Sequence, residues 1–158
     1  MVKKKIGWKF DNTYKNLSPS MFSKLNPIPV KNPKLVLFNH NLSKQIDLDF
    51  SNLDNKELAL IFSGNQLPEG SESIAQAYAG HQFGHFTILG DGRALTIGEH
   101  LDKNKNRYDI QFKGSGKTPY SRSADGRAAL GPMLREYIIS ESMHSLGIPT
   151  TRSLAVIQ

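Results

Sequence analysis

The sequence has no cysteine. Disulfides, thiolate nucleophiles and zinc–thiolate centres are therefore excluded. No apolar run approaches the roughly 20 residues needed to span a bilayer. The basic start, Met1-Val2-Lys3-Lys4-Lys5-Ile6-Gly7-Trp8, has no apolar signal core behind it. Both absences point to a soluble, cytoplasmic protein with no membrane partner. There is no HExxH pair, and no internal repeat beyond a twice-used Asp-Gly-Arg. Acidic residues are in deficit: 14 Asp and Glu against 20 Lys and Arg give a formal net charge of +6. That field favours anionic partners such as nucleotides. The lysines are dispersed among Asn and Asp, so no nucleic-acid stripe forms.

What is present suits one packed domain. The 158 residues are 38% hydrophobic and 22% charged, enough for a core and against wholesale disorder. Residues 6–24 place Trp8, Phe10, Tyr14, Leu17 and Phe22 among polar residues, which reads as an extended arm or short helix laid on the domain. Pro27, Pro29 and Pro33 break any helix and make 26–33 a connector. Leu35–Phe38 reads as a strand, 39–46 and 53–62 as short helices with Ser51, Asn52 or Asp54 as cap, and 73–78 as another short helix stopped by Gly80.

From Phe86 the pattern turns to β. Phe86–Leu89 and Ala94–Glu99 flank Gly90-Asp91-Gly92-Arg93 and predict a hairpin. Tyr108–Lys113 is the next strand, with Ile110 and Phe112 on one face and Asp109, Gln111 and Lys113 on the other. Residues 127–145 give the longest helical pattern, in which Glu136 falls on a stripe with Ala129, Met133, Ser140 and Met143. Pro132 fits only its first turn, and Gly147 and Pro149 end it. A last strand is expected over 152–157.

Five groups of residues carry candidate chemistry. His81 and His85 are four apart, but Gly84 weakens a helix there and no glutamate completes a metalloprotease pair, which favours a structural role over a metal site. Gly116-Lys117-Thr118 imitates a phosphate-binding P-loop. The glycine that such a loop requires upstream is Gln111, and Pro119 opposes the helix that should follow. Lys113, aimed by its strand, is the better phosphate ligand. It would pair with Glu136, the strand-lysine and helix-glutamate arrangement that orients ATP phosphates in protein kinases. Equally open is Glu136 pairing locally with Arg135 or Arg127 and facing solvent. Gly90, Gly92 and Arg93 offer backbone N–H groups and a forked donor to phosphate, or form an ordinary turn. Asp125 and Gly126 are a further ligand cluster, or a helix cap.

The runs Ala75–His85, Leu89–Arg93, Gln111–Arg122, Asp125–Arg127, Met133–Tyr137 and Gly147–Arg152 together resemble the selenoprotein O family, over nearly the whole chain. The resemblance implies an α+β fold: a protein-kinase-like small lobe with an antiparallel sheet, a long helix bearing Glu136 and an N-terminal helical or extended extension. It implies a single domain over 1–158. Within it, 1–33 form the arm and connector, 34–80 short helices, and 81–158 the nucleotide-binding sheet and helix. It implies that ATP, bound in a flipped orientation with Mg²⁺ or Mn²⁺, donates AMP to Ser, Thr or Tyr hydroxyls of proteins. Lys113 and Glu136 become the ion pair, and Gly90, Gly92, Arg93, Lys113, Asp125 and Gly126 the nucleotide contacts. Family members are longer. Their later half supplies a catalytic-loop aspartate and Asn and Asp metal ligands that this sequence lacks, so no catalytic base or metal ligand is expected here and the stretch is expected to be an inactive N-terminal portion. The alternative is a non-catalytic binding or scaffold module with a basic surface.

Overall fold

A computed structural model describes residues 6–82 and 84–158. The basic start at residues 1–5 and Phe83 of the histidine motif lie outside the described residues. The chain is mixed α and β, with all strand pairing among the described residues antiparallel. In chain order the elements are β1 (Phe22–Lys24), β2 (Leu35–Phe38), α1 (His40–Gln45), α2 (Asn55–Phe62), β3 (Ile74–Gln76), β4 (Ala79–Gln82), β5 (His85–Ile88), β6 (Ala94–Leu101), β7 (Arg107–Lys113), α3 (Leu130–Ser145) and β8 (Ala155–Ile157). The main sheet runs β1-β3-β6-β7, while β2 pairs with β8 and β4 with β5.

Two cores meet across this sheet. Ala75, Leu95, Ile97 and Phe112 form one beneath it, and Ile46, Leu48, Phe50 and Leu58 form the other beside α2. Phe62 joins them, with its ring centroid 5.4 Å from Phe50 and 6.3 Å from Phe112. The caps follow local chemistry. Asn39 accepts from the Leu42 N–H at the start of α1, and Asp54 with Glu57 forms a capping box on α2. The arm combines both forms left open by its aromatic pattern: residues 6–13 carry no helix, while Tyr14–Asn16 and Pro19–Met21 form short 3-10 helices. Asp11 N–H donates to Glu99 O and Leu101 N–H to Lys9 O, which lays residues 9–11 along β6.

Two expectations are overturned. Residues 73–78 are not a helix: Ile74 and Ala75 are buried in β3, where pairing with β1 and β6 outweighs local helix propensity. Residues 86–99 are not a hairpin either. β5 turns back onto β4, and the chain then crosses through Gly90–Arg93 into the main sheet. The glycines mark a crossing between sheets rather than a two-strand turn. No helix begins after Lys117, where the chain makes turns until α3. Among the described residues no helix is long and apolar enough to cross a membrane.

Candidate nucleotide site

Lys113 closes β7 opposite Ala94. Strand alternation turns its side chain away from the core that Phe112 enters, so it stands on the solvent side of the sheet. Glu136 lies in the second turn of α3. Lys113 Nζ and Glu136 Oε2 are 3.9 Å apart, with side chains 41% and 63% exposed. Such a pair contributes about 0–1 kcal/mol to stability; its significance is positional, because it bridges the sheet to α3. No residue of α3 is buried, and Glu136 faces solvent, as the local alternative supposed, yet its partner is Lys113.

The glycines are explained by what lies against them. A Cβ at Gly90 would sit 2.5 Å from the Tyr120 ring, and one at Gly92 would sit 2.9 Å from Tyr120 O. Gly126 has φ of +72°, and a Cβ there would fall 2.0 Å from Gly116 O. Gly116 N–H donates back to Gly126 O at 3.1 Å, and Gly114 N–H donates to Arg93 O at 2.6 Å. Three loops, 90–93, 114–121 and 125–128, thus interlock at the end of β7. Gly90, Gly92, Arg93, Lys113 and Gly126 are brought to one edge of the sheet. Asp125 stands exposed beside them, its Oδ1 accepting from Arg127 N–H at 2.9 Å. It does not cap α3, whose capping position is Ala129.

Asp91, between the two glycines, was not singled out from sequence. It is buried, its Oδ2 accepts from Gln76 N–H at 3.0 Å, and its own N–H donates to Gln76 O. Burial pushes its carboxyl above the usual aspartate range, with the Gln76 hydrogen bond acting the other way. The signal for it was an acid placed where a turn between glycines needs only small residues.

Beside Gly90 a cleft of about 370 Å³ opens between the β4–β5 ribbon and the turn at Pro119, lined by Tyr78, Gln82, Ile88, Leu89, Tyr120 and Arg122. The ribbon is solvent-facing, with Phe86 67% and Ile88 79% exposed. His81 lies opposite Phe86, and His85 opposite Gln82. Directly opposed residues share a face, so the two histidines point to opposite sides of the ribbon and do not converge on an ion.

These features fall within residues 4–158, which match the model of the family described as protein adenylyltransferase SelO. The chain belongs to this family. It is 66% identical over 153 residues to a protein nucleotidyltransferase YdiU of Pelagibacter ubique, covering 97% of this chain and 32% of that protein. The corresponding protein of Nitrosococcus oceani is 66% identical over 96% of this chain and 31% of its own length, and that of Brevibacillus brevis 62% over the same shares. The chain thus spans about a third of the length of the curated SelO-family relatives it matches. The SelO-family resemblance carried by the sequence motifs is thereby shown.

Proposed function

We propose that residues 1–158 are the nucleotide-holding, protein-kinase-like small lobe of a protein adenylyltransferase. The observation that carries this is the Lys113–Glu136 bridge, with its lysine set beside the interlocked 90–93 and 125–128 loops. Lys113 and Arg93 would neutralise the polyphosphate of ATP, the backbone of Gly90, Gly92 and Gly126 would complete its cradle, and Asp125 would contact the nucleotide away from the phosphates. In the transfer, a Ser, Thr or Tyr hydroxyl oxygen of a protein bonds to the α-phosphorus, the α–β bridging bond breaks, and pyrophosphate leaves. Among the described residues no three His, Asp or Glu side chains gather into a metal-ligand set. No metal ligand and no catalytic base are assigned within the chain. Two facts support the small-lobe reading. α3 leaves Ile138 and Ile139 more than half exposed, and the relatives are three times as long. A cytoplasmic setting and no nucleic-acid partner complete the proposal.

Titration of ATP into the chain tests it. Lys113→Ala is expected to weaken binding about tenfold, since it removes a charge-assisted phosphate contact of ~1.4 kcal/mol. No signal from the unsubstituted chain would instead favour a scaffold module. Incubation of the full-length protein, acceptor and Mg²⁺ with ATP labelled on the α- or γ-phosphate tests transfer. Label reaching protein from the γ-position alone would make the enzyme an ordinary kinase.

A further inference from the structure

The Gly116–Arg122 segment imitates a P-loop yet holds no place in the nucleotide cradle above. We infer that its turn, Thr118-Pro119-Tyr120-Ser121-Arg122, is a latch that positions the Gly90–Arg93 loop from behind. This inference rests on the nucleotide reading of that loop. Thr118 and Ser121 are both buried. Thr118 Oγ1 donates to Asp91 O at 2.7 Å, and Ser121 Oγ donates to Gly92 O. Each hydroxyl also accepts within the turn: Tyr120 N–H reaches Thr118 Oγ1 at 3.1 Å, and Thr118 N–H reaches Ser121 Oγ at 2.7 Å. Ser121 N–H closes the turn on Thr118 O at 3.1 Å, with Pro119 at the position where its fixed φ is favoured.

The turn also grips its surroundings. The Tyr120 ring covers Gly90, and its hydroxyl lies 3.1 Å from Ser23 Oγ on β1. Arg122 adopts φ of +56°, a conformation unfavourable for a residue with a side chain, and its guanidinium donates to Gln82 Oε1 of the ribbon at 3.1 Å. Consecutive carbonyls of the glycine loop are therefore turned inward onto two hydroxyls of a different motif. Carbonyls held inward leave less freedom to the N–H groups of the same peptides, which the cradle would present to phosphate. Glycine flexibility alone would leave the loop poorly preorganised, and the latch removes that freedom before the ligand arrives. Thr118 and Ser121 are positioning residues that need not touch nucleotide.

The test compares Thr118→Val, which keeps shape and loses the hydroxyl, with Thr118→Ser, which keeps the hydroxyl. Ser43→Ala serves as a control, because Ser43 is a buried serine whose hydroxyl donates to His40 O far from the loop in sequence. Amide hydrogen exchange at 90–93 without ligand and ATP affinity by titration are both read. Thr118→Val should speed exchange at 90–93 and weaken ATP binding about tenfold, equivalent to ~1.4 kcal/mol. Thr118→Ser should restore both, and Ser43→Ala should lower the melting temperature without changing ATP affinity. Equal ATP affinity in Thr118→Val, or a loss that Thr118→Ser does not rescue, overturns the latch while leaving the nucleotide site standing. Failure of the unsubstituted chain to bind ATP overturns the nucleotide reading and the latch with it. That result is recognisable because it appears before any substitution.

Discussion

Asp91 shows how much one residue between two glycines can hold. Its carboxyl is buried against β3, and burial raises its affinity for a proton above that of an ordinary aspartate, which titrates at 3.8. A raised folded value means that the ionised form is disfavoured by folding. Stability on this account therefore increases as pH falls through the raised value towards 3.8, and is not gained at neutral pH. An amide still accepts the Gln76 N–H without carrying the charge. Asp91→Asn is accordingly expected to leave the melting temperature at pH 7 unchanged or higher. Asp91→Ala, which leaves Gln76 N–H without its acceptor, should cost about 1–2 kcal/mol. Denaturant curves at pH 7 and pH 4.5 check both, and a lower stability of Asp91→Asn at pH 7 would show that the charge itself is needed.

At the scale of elements, α3 is the longest helix among the described residues and lies at the surface. None of its residues is buried, and its firmest tie is polar. Arg152 Nε and Nη2 grip the Glu141 carboxylate at 2.9 and 2.5 Å, and Nη1 donates to Gln45 of α1 at 2.7 Å. The guanidinium hydrogen bonds hold the Glu141 carboxyl below the ordinary glutamate value of 4.5 and push Arg152 up. A depressed carboxylate contributes stability that is present above pH 4.5 and is lost as pH falls through the lower folded value. Because both side chains are only partly exposed, 16% and 24%, the pair exceeds an open surface bridge. Arg152→Met should cost about 1–2 kcal/mol at neutral pH, with the gap to the unsubstituted chain narrowing below pH 4. Urea titrations at the two pH values measure it, and a constant gap would assign the loss to packing. The strand-bound Lys113 needs α3 in place, so the same variant should weaken ATP binding if the bridge to Glu136 matters.

At the scale of the whole chain, His100 is where distant segments meet. It is fully buried on β6, its Nδ1 accepts Lys9 N–H from the arm at 3.2 Å, and its Nε2 faces Ile46 O after α1 at 2.8 Å. A backbone donor at Nδ1 and a backbone acceptor at Nε2 require the Nε2–H tautomer. Trp8 stands edge-on to the ring at 5.6 Å. His100→Phe fills the space but strands a buried N–H and a buried carbonyl, so it should cost about 2–4 kcal/mol and free the arm. A denaturation midpoint close to that of the unsubstituted chain, or unchanged proteolysis within residues 6–13, would refute this. Neither partner of His100 is visible from sequence, because they lie 91 and 54 positions away.

Local chemistry by itself determined the two short helices, the alternating Lys113 strand, the stop of α3 and the family motifs, whereas α3 starts at Leu130 and not at 127. Each of the former rests on residues within a few positions of one another: a capping side chain, a two-residue period, a glycine after a last turn. The tertiary structure decided what depends on partners far along the chain. It made residues 74–76 a strand, because β1 and β6 flank them. It sent the glycine turn between sheets instead of into a hairpin, because β5 had β4 to pair with. It placed Glu136 at the surface, since nothing among the described residues covers that face of α3. It also turned a misleading P-loop into the support of the loop before it, through hydroxyls on Thr118 and Ser121 that meet carbonyls nearly thirty residues upstream.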